Sequence, residues 1–440
     1  MKSVYSISLF LIVYVNCFSQ QSFNMSLLGK YDYDVGVNDV WGYQDDQNNE
    51  YAIVGLVNGT SFVDVSDPTN PIEKAFIPGP TSVWRDIKTW GNYAYIVHDG
   101  ISSGEAQGLL IADLSDIANG NLTYNTLIDL SFERFHNLFI DKNGIIYLFG
   151  GDADNGGCLF YDANINPTAP TFLGSYSDTY LHDGMVRGDT LWGSSIYQGS
   201  LYAIDVSDKQ TPIILGTVET PSNFTHNAWV SEDGMNVFTT DEVPGAYIAS
   251  IDVSDILNME VIDTIQSWST ETNVIPHNTH VHGKLLYTSY YCDGLTVVDS
   301  SDPTNLQEIA YYDTSDSTGG TFSGAWGTYP FLPSGNILVT DRQEGLHIIS
   351  LDDPEVSIAH IMAQHEVEIF PNPSGGSFLI DLKSISLKRL VISDFQGKII
   401  EVLDSPFSEI HLGDSWLPGT YFLDIEDESG LHFSHKLIKN

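Results

Sequence analysis

The sequence predicts an all-β chain, a seven-bladed β-propeller followed by a small β-sandwich C-terminal domain. Three observations predict it. First, one apolar strand with the same ending recurs seven times: SFVDVSDP from Ser61, LLIADLSD from Leu109, CLFYDANI from Cys158, LYAIDVSD from Leu201, YIASIDVSD from Tyr247, LTVVDSSDP from Leu295 and LHIISLDDP from Leu346. Second, the strand-ending residues Asp64, Asp113, Asp162, Asp205, Asp252 and Asp299, with Ser350 in the seventh place, stand 43 to 51 residues apart. That is the period of propeller blades. Third, short strands with turn residues at every corner fill the intervals, as radial four-stranded sheets require.

The stretch Phe224 to Asp255 shows one unit in full. It opens on His226-Asn227, runs through Ala228-Trp229-Val230, turns at Asp233-Gly234, returns over Met235 to Thr239, and crosses Asp241 to Gly245 into the strand Ala246 to Val253. A fourth strand follows each repeat, as in IEKAFI, TFLGSY and IILGTV. The terminal Asp of each third strand accepts backbone N–H bonds in an Asx turn, and the Ser-Asp-Pro that follows stops the strand. The seventh unit has no LGxY-type fourth strand of its own. Residues Ser26 to Tyr31, SLLGKY, fit that place and are expected to seal the ring, with Val356 to Met362 as the competing segment.

The boundaries expected are a signal peptide over 1–19, the propeller over 20–362 and a terminal domain over 363–440. Lys2, the apolar run Ile7 to Val15 and the small residues before Gln20 form the signal pattern, too short to span a membrane. An acylated Cys17 is the competing reading, and Asn16 before it fits poorly. No other segment is long and apolar enough to cross. Short strands at Phe378 to Leu382, Leu390 to Ser393, Lys398 to Leu403, Thr420 to Ile425 and His432 to Leu437 make the terminal sandwich. The formal charge is −41, from 58 acidic and 17 basic residues, which argues against nucleic acid or an anionic membrane as partner. Beyond Cys17 only Cys158 and Cys292 remain, in well-separated repeats and without zinc spacing, so free thiols are expected.

Candidate chemistry lies where each first strand begins. The aligned opening pairs are Asn38-Asp39, Arg85-Asp86, His136-Asn137, His182-Asp183, His226-Asn227, His277-Asn278 and Ser323-Gly324. The innermost strand of a propeller lines the axial channel, so these pairs should ring one channel mouth, one member of each facing the axis. Four successive histidines at equivalent positions have two readings. Each ties its blade to the next, or the imidazoles of His136, His182, His226 and His277 converge on a divalent metal (zinc, iron, copper or calcium), with Asp86 or Asp183 adding a carboxylate. Loops between second and third strands should open on the same face, bringing Asp99, Asp152, Asp154, Asp241, Glu242, Asp293, Asp341 and Arg342, with His98 and Tyr291. Asp152 to Gly157 has the oxygen-rich look of a calcium loop without EF-hand spacing. His280 and His282 share a strand face opposite His277.

Two resemblances follow from quoted residues. Phe370-Pro371-Asn372-Pro373 with Gly375-Gly376, Asp394-Phe395-Gln396-Gly397-Lys398, Leu417-Pro418-Gly419-Thr420-Tyr421 and Lys436-Leu437-Ile438-Lys439 resemble the type A C-terminal sorting domain of the Bacteroidetes type IX secretion system. That resemblance implies export, passage across the outer membrane through the secretion machinery recognising 366–440, and release or anchoring at the cell surface. FVDVSDPTNP, LYAIDVSD and LTVVDSSDPTN resemble the LVIVD-type blades of the choice-of-anchor B family, over about Tyr33 to Pro354. It implies an outer domain carried on varied anchors and brings no activity. The sequence thus leads to a secreted or cell-surface binding protein of unknown extracellular ligand. A metal-dependent extracellular hydrolase or oxidoreductase using the same residues, and a structural or adhesion module, are the alternatives.

Overall fold

The computed structural model describes residues 21–100, 108–127, 132, 134–269, 273–352, 368–382, 387–394, 398–403, 409–427 and 432–440. Residues 1–20 and 353–367, which hold the signal pattern and the segment Val356 to Met362, lie outside the described residues.

Described residues 22–352 form seven antiparallel sheets. Their first strands are Val37–Gln44, Arg85–Trp90, Asn137–Ile140, Asp183–Arg187, Thr225–Val230, Thr279–His282 and Ala325–Tyr329. Each first strand packs beside the first strand of the next sheet, and Ala325–Tyr329 packs beside Val37–Gln44. The sheets therefore stand radially around an axis, which is a β-propeller. Apolar clusters fill the gaps between neighbouring sheets, such as Ile53, Phe62, Ile96 and Ala112 between sheets 1 and 2. Both faces of each sheet are covered, so its strands carry near-continuous apolar and β-branched runs.

The third strands end as their sequence asks. Asp64, Asp113, Asp162, Asp205, Asp252 and Asp299 each accept the N–H two residues on, at 2.8–3.1 Å. All are exposed turns that shape the corner. Cys158 and Cys292 are both free and buried.

The seam between the last sheets is made by the chain's beginning. Met25–Tyr31 pairs antiparallel with Gly345–Leu351 as the outer strand of sheet 7, and Ser22–Phe23 adds to the outer strand of sheet 6. Gly29 shows that this strand behaves as the other fourth strands do. The register slips between Leu27 and Gly29, as it slips beside Gly174 and Gly216. A Cβ at Gly29 would collide with the Pro68 carbonyl of sheet 1, and one at Gly174 with the Lys209 carbonyl of sheet 4. The LG step leaves room for the neighbour's strand-end loop.

The terminal residues form a three-stranded sheet (Glu368–Phe370, Phe378–Asp381, Glu409–Leu412) and a four-stranded sheet (Ile399–Leu403, Leu387–Asp394, Gly419–Asp427, His432–Lys439). Phe378, Ile380 and Leu412 of one meet Leu390, Leu423 and Ile425 of the other in a single core. This is a β-sandwich.

Candidate metal centre at the histidine mouth

The two members of each opening pair part company. The Asp and Asn members line an axial chamber, where Asp39, Asp86, Asn137, Asp183, Asn227 and Asn278 face inward with Lys88 and His280. The histidines lie one layer outward, in the seams between sheets. His136, His182, His226 and His277 form a stacked arc with successive ring centroids 4.2, 4.3 and 4.6 Å apart, and Trp326 continues it 4.5 Å beyond His277.

One nitrogen of each seam imidazole is already committed. His182 Nδ1 bonds the His226 carbonyl at 3.2 Å, His226 Nδ1 the His277 carbonyl at 3.3 Å, and His277 Nδ1 the Trp326 carbonyl at 2.5 Å. A carbonyl only accepts, so each Nδ1 carries the proton. Burial, the foremost cause in each case, pushes His182 and His277 well below the ordinary imidazole range and lowers His226 as well. The rings are neutral, and each Nε2 keeps its lone pair. His136 differs, with Nδ1 3.2 Å from Asp99 Oδ2.

Those lone pairs meet a carboxylate. His226 Nε2 stands 3.5 Å from Glu242 Oε2, and His277 Nε2 stands 3.8 Å from Glu242 Oε1. Three ligand atoms of His226, Glu242 and His277 lie within 4.8 Å of one another, the single such group among the described residues. The arrangement sets two neutral Nε2 atoms against one carboxyl group at separations long for hydrogen bonds, a geometry that a cation would bridge. Donors at about 2.1 Å around a tetrahedral ion stand about 3.4 Å apart; the two histidine–carboxylate separations, one to each Glu242 oxygen, lie near that value, and the three ligand atoms as a set within 4.8 Å. Tyr291 donates its phenol to Glu242 Oε1 at 2.5 Å and sets its ring 5.1 Å from that of His277. Its backbone takes φ of 42°, in the left-handed region that bulky residues avoid, and is held there by two bonds with Ala325 at 3.0 and 2.9 Å. The centre is buried, with His226 4% and His277 2% exposed, and half-buried Glu242 is its outward side.

The expected carboxylate ligands are displaced. Asp86 binds the Lys88 ammonium at 2.7 Å and the Leu138 N–H at 2.7 Å, and Asp183 accepts from Asn227 at 2.8 Å. Both sit in the chamber, where the axis-facing member of each pair must lie. Arg85 is buried, bonding the Leu56 carbonyl at 2.6 Å and the Pro80 carbonyl, so it ties sheets rather than facing a ligand. Asp241 is spent on Thr220, Ser222 and Phe224, and Asp341 on Thr314, Gln343 and Glu344. Arg342 bonds the Phe322 carbonyl at 2.8 Å. Asp152 lies 4.0 Å from Arg134, and its loop gathers no third ligand. Asn137, Asn227 and Asn278 belong to the chamber; Asn227 Oδ1 takes the Thr279 N–H at 3.0 Å and so bridges sheets 5 and 6.

Residues 368–440 match the family described as secretion system C-terminal sorting domain, and residues 48–76, 84–126 and 277–314 match the LVIVD repeat. The chain carries LVIVD repeats and a C-terminal sorting domain. The choice-of-anchor B resemblance is consistent with those repeats. The type IX sorting domain indicates secretion to the cell surface or the extracellular space. No described helix is long and apolar enough to cross a membrane, which leaves β-barrels unaddressed. None of the curated proteins compared matches the sequence. Among solved structures, the β-propeller domain of Myceliophteria thermophila Cps50 (Swd1) is similar at TM-score 0.50 and 11% identity, covering 74% of this chain and 99% of that one. At that identity the likeness concerns the fold alone.

Proposed function

We propose that this secreted or cell-surface LVIVD propeller binds a divalent transition-metal ion between His226, Glu242 and His277. The observation that carries the reading is the pair of neutral Nε2 lone pairs set against one carboxylate at 3.5 and 3.8 Å. The two sequence readings of the histidines are compatible on this view. Nδ1 ties one sheet to the next, and that bond orients Nε2 and raises its basicity as a ligand, the usual work of an outer-shell acceptor. Two imidazoles favour zinc, iron or copper over calcium, which takes oxygen. A second reading, metal-dependent hydrolytic or redox chemistry, is favoured by the ligand count. Three protein donors leave a tetrahedral ion one open position.

Metal content of the purified chain, followed by zinc titration against a chelator, tests this. About one ion per chain is expected. Glu242→Gln should lose it while keeping every Nδ1 tie and an unchanged melting temperature. A chain that takes up no zinc, iron or copper, or a Glu242→Gln variant that binds as well as the parent, overturns the reading.

A further inference from the structure

The inner strands run on from the histidine mouth past the chamber, and their far ends open onto a second concavity of about 480 Å³. That volume is in the range of small-molecule sites. Nothing in the metal centre uses it. Its lining comes from the ends of first strands, or the turns just after them, in sheets 3, 4, 5, 6 and 7. The described walls are therefore set by the ring itself, which preorganises them for binding.

Two kinds of side chain meet there. Trp229 and Phe331 lie nearly parallel, rings 5.8 Å apart at 22°, and both are half-buried; His280 packs 4.6 Å from the Trp229 ring, Tyr329 stands edge-on to Phe331 at 5.3 Å, and both Trp229 and Phe331 line the cavity. Phe139 stands edge-on to Trp229 at 6.0 Å and fixes its orientation. Around this floor stand planar polar groups. Glu232 Oε1 is held by the Gly283 N–H at 3.0 Å, and Arg187 is held by the Ser231 carbonyl, with further guanidinium donors remaining. Asn143 and His282 complete the rim, the latter edge-on to Phe331 at 5.4 Å.

An apolar ligand would waste the rim, and a phosphate would meet Glu232. A purely polar ligand would leave the aromatic faces wet. A pyranose answers both halves. One face of the ring presents C–H bonds, whose positive edge suits the negative face of Trp229 or Phe331. Its adjacent hydroxyls donate and accept in pairs, matching a carboxylate that accepts, a guanidinium that donates and an amide that does both. We propose that this cavity is a saccharide site, taking one or two pyranose rings flat against Trp229 and Phe331 with their hydroxyls on Arg187, Glu232 and Asn143.

The test titrates the exported chain with cellobiose, maltose, N,N′-diacetylchitobiose, galactobiose and digalacturonate, read by tryptophan fluorescence and calorimetry. At least one should bind with a Kd between micromolar and low millimolar. Phe331→Ala and Arg187→Met should each weaken that sugar about tenfold or more, with zinc binding and melting temperature as in the parent. Arg187→Met leaves the aromatic floor in place, so it guards against a packing loss in Phe331→Ala. Failure of all five sugars overturns the proposal, as does binding by both variants that is as tight as the parent's. Binding of free phenylalanine or tryptophan in place of the sugars also overturns it.

Discussion

The two ends of the axial channel are built from the same seven strands, yet they could hardly differ more. At one end the side chains repeat. Successive sheets offer His136, His182, His226 and His277, and the last three are each spent first on a neighbour's backbone, while His136 pairs with Asp99. At the other end no residue type runs through successive sheets: Phe139, Arg187, Trp229, His282 and Phe331 come from five sheets, and only Phe occurs twice. Repetition serves the ring, since every sheet needs the same tie. A ligand without sevenfold symmetry needs the opposite, a lining in which each sheet contributes something different. The repeated end becomes specific only where a loop breaks the pattern, as Glu242 and Tyr291 do.

Between the ends lies the narrow polar chamber, and it offers the largest test of their separateness. Burial raises Asp183 to about 7, with Asp86 adding to the rise and the Asn227 amide opposing it. Asp39 is raised well above its usual range by burial and by Asp86. Burial alone would lower Lys88, but Asp86 and Asp39 overcome it and the ammonium is raised. A carboxyl raised on folding takes up a proton. Its contribution to stability is complete below the unfolded value near 4 and is lost as pH rises to 7, at about 1.4 kcal/mol per unit for one proton. Chemical denaturation across pH 4 to 7 should therefore show Asp183→Asn gaining on the parent by up to about 4 kcal/mol. Parallel curves would mean that the chamber is wet, and that the two mouths communicate through water.

A smaller effect separates tie from ligand at the histidine end. Tyr291→Phe removes only the phenol that orients Glu242. Zinc affinity should fall about tenfold with no change in sugar binding. An unchanged affinity would remove Tyr291 from the site. Smallest of all is the coupling between ends. With the chamber closed by Trp229, His280 and Lys88 over Trp41, saturating zinc should change sugar affinity less than about twofold, because distant sites without shared partners act additively. A tenfold change would show that the ring moves as one body between two states.

Much of this was legible in the chain, and the rest was hidden for physical reasons. The repeat showed because six of the seven third strands end on an Asp whose turn is local, readable two residues at a time. The histidines showed because alignment places equivalent residues together. Which member of each pair faces the axis was not legible, because alternation gives two faces without saying which is inward. Glu242 was visible as one acid among several on the rim. Its partnership with His226 and His277 depends on how one loop crosses the next seam, which no local pattern encodes. The far cavity was missed because its residues form no run of one type across successive sheets, and alignment discards what does not repeat.

One consequence of the seam has to do with time. Met25 pairs with Leu351, and Asn24 bonds the Ile309 carbonyl at 2.8 Å, so the residues sealing the ring stand some three hundred positions from those they seal. Contacts so distant in sequence form late. A chain delivered from its N-terminus must keep that first strand unpaired, its edge open, until the last sheet arrives. The sorting domain follows that sheet, so the chain presents its address only once it holds everything needed to close. Chains stopped before the last sheet would keep the sealing strand and lack both its partner sheet and the address.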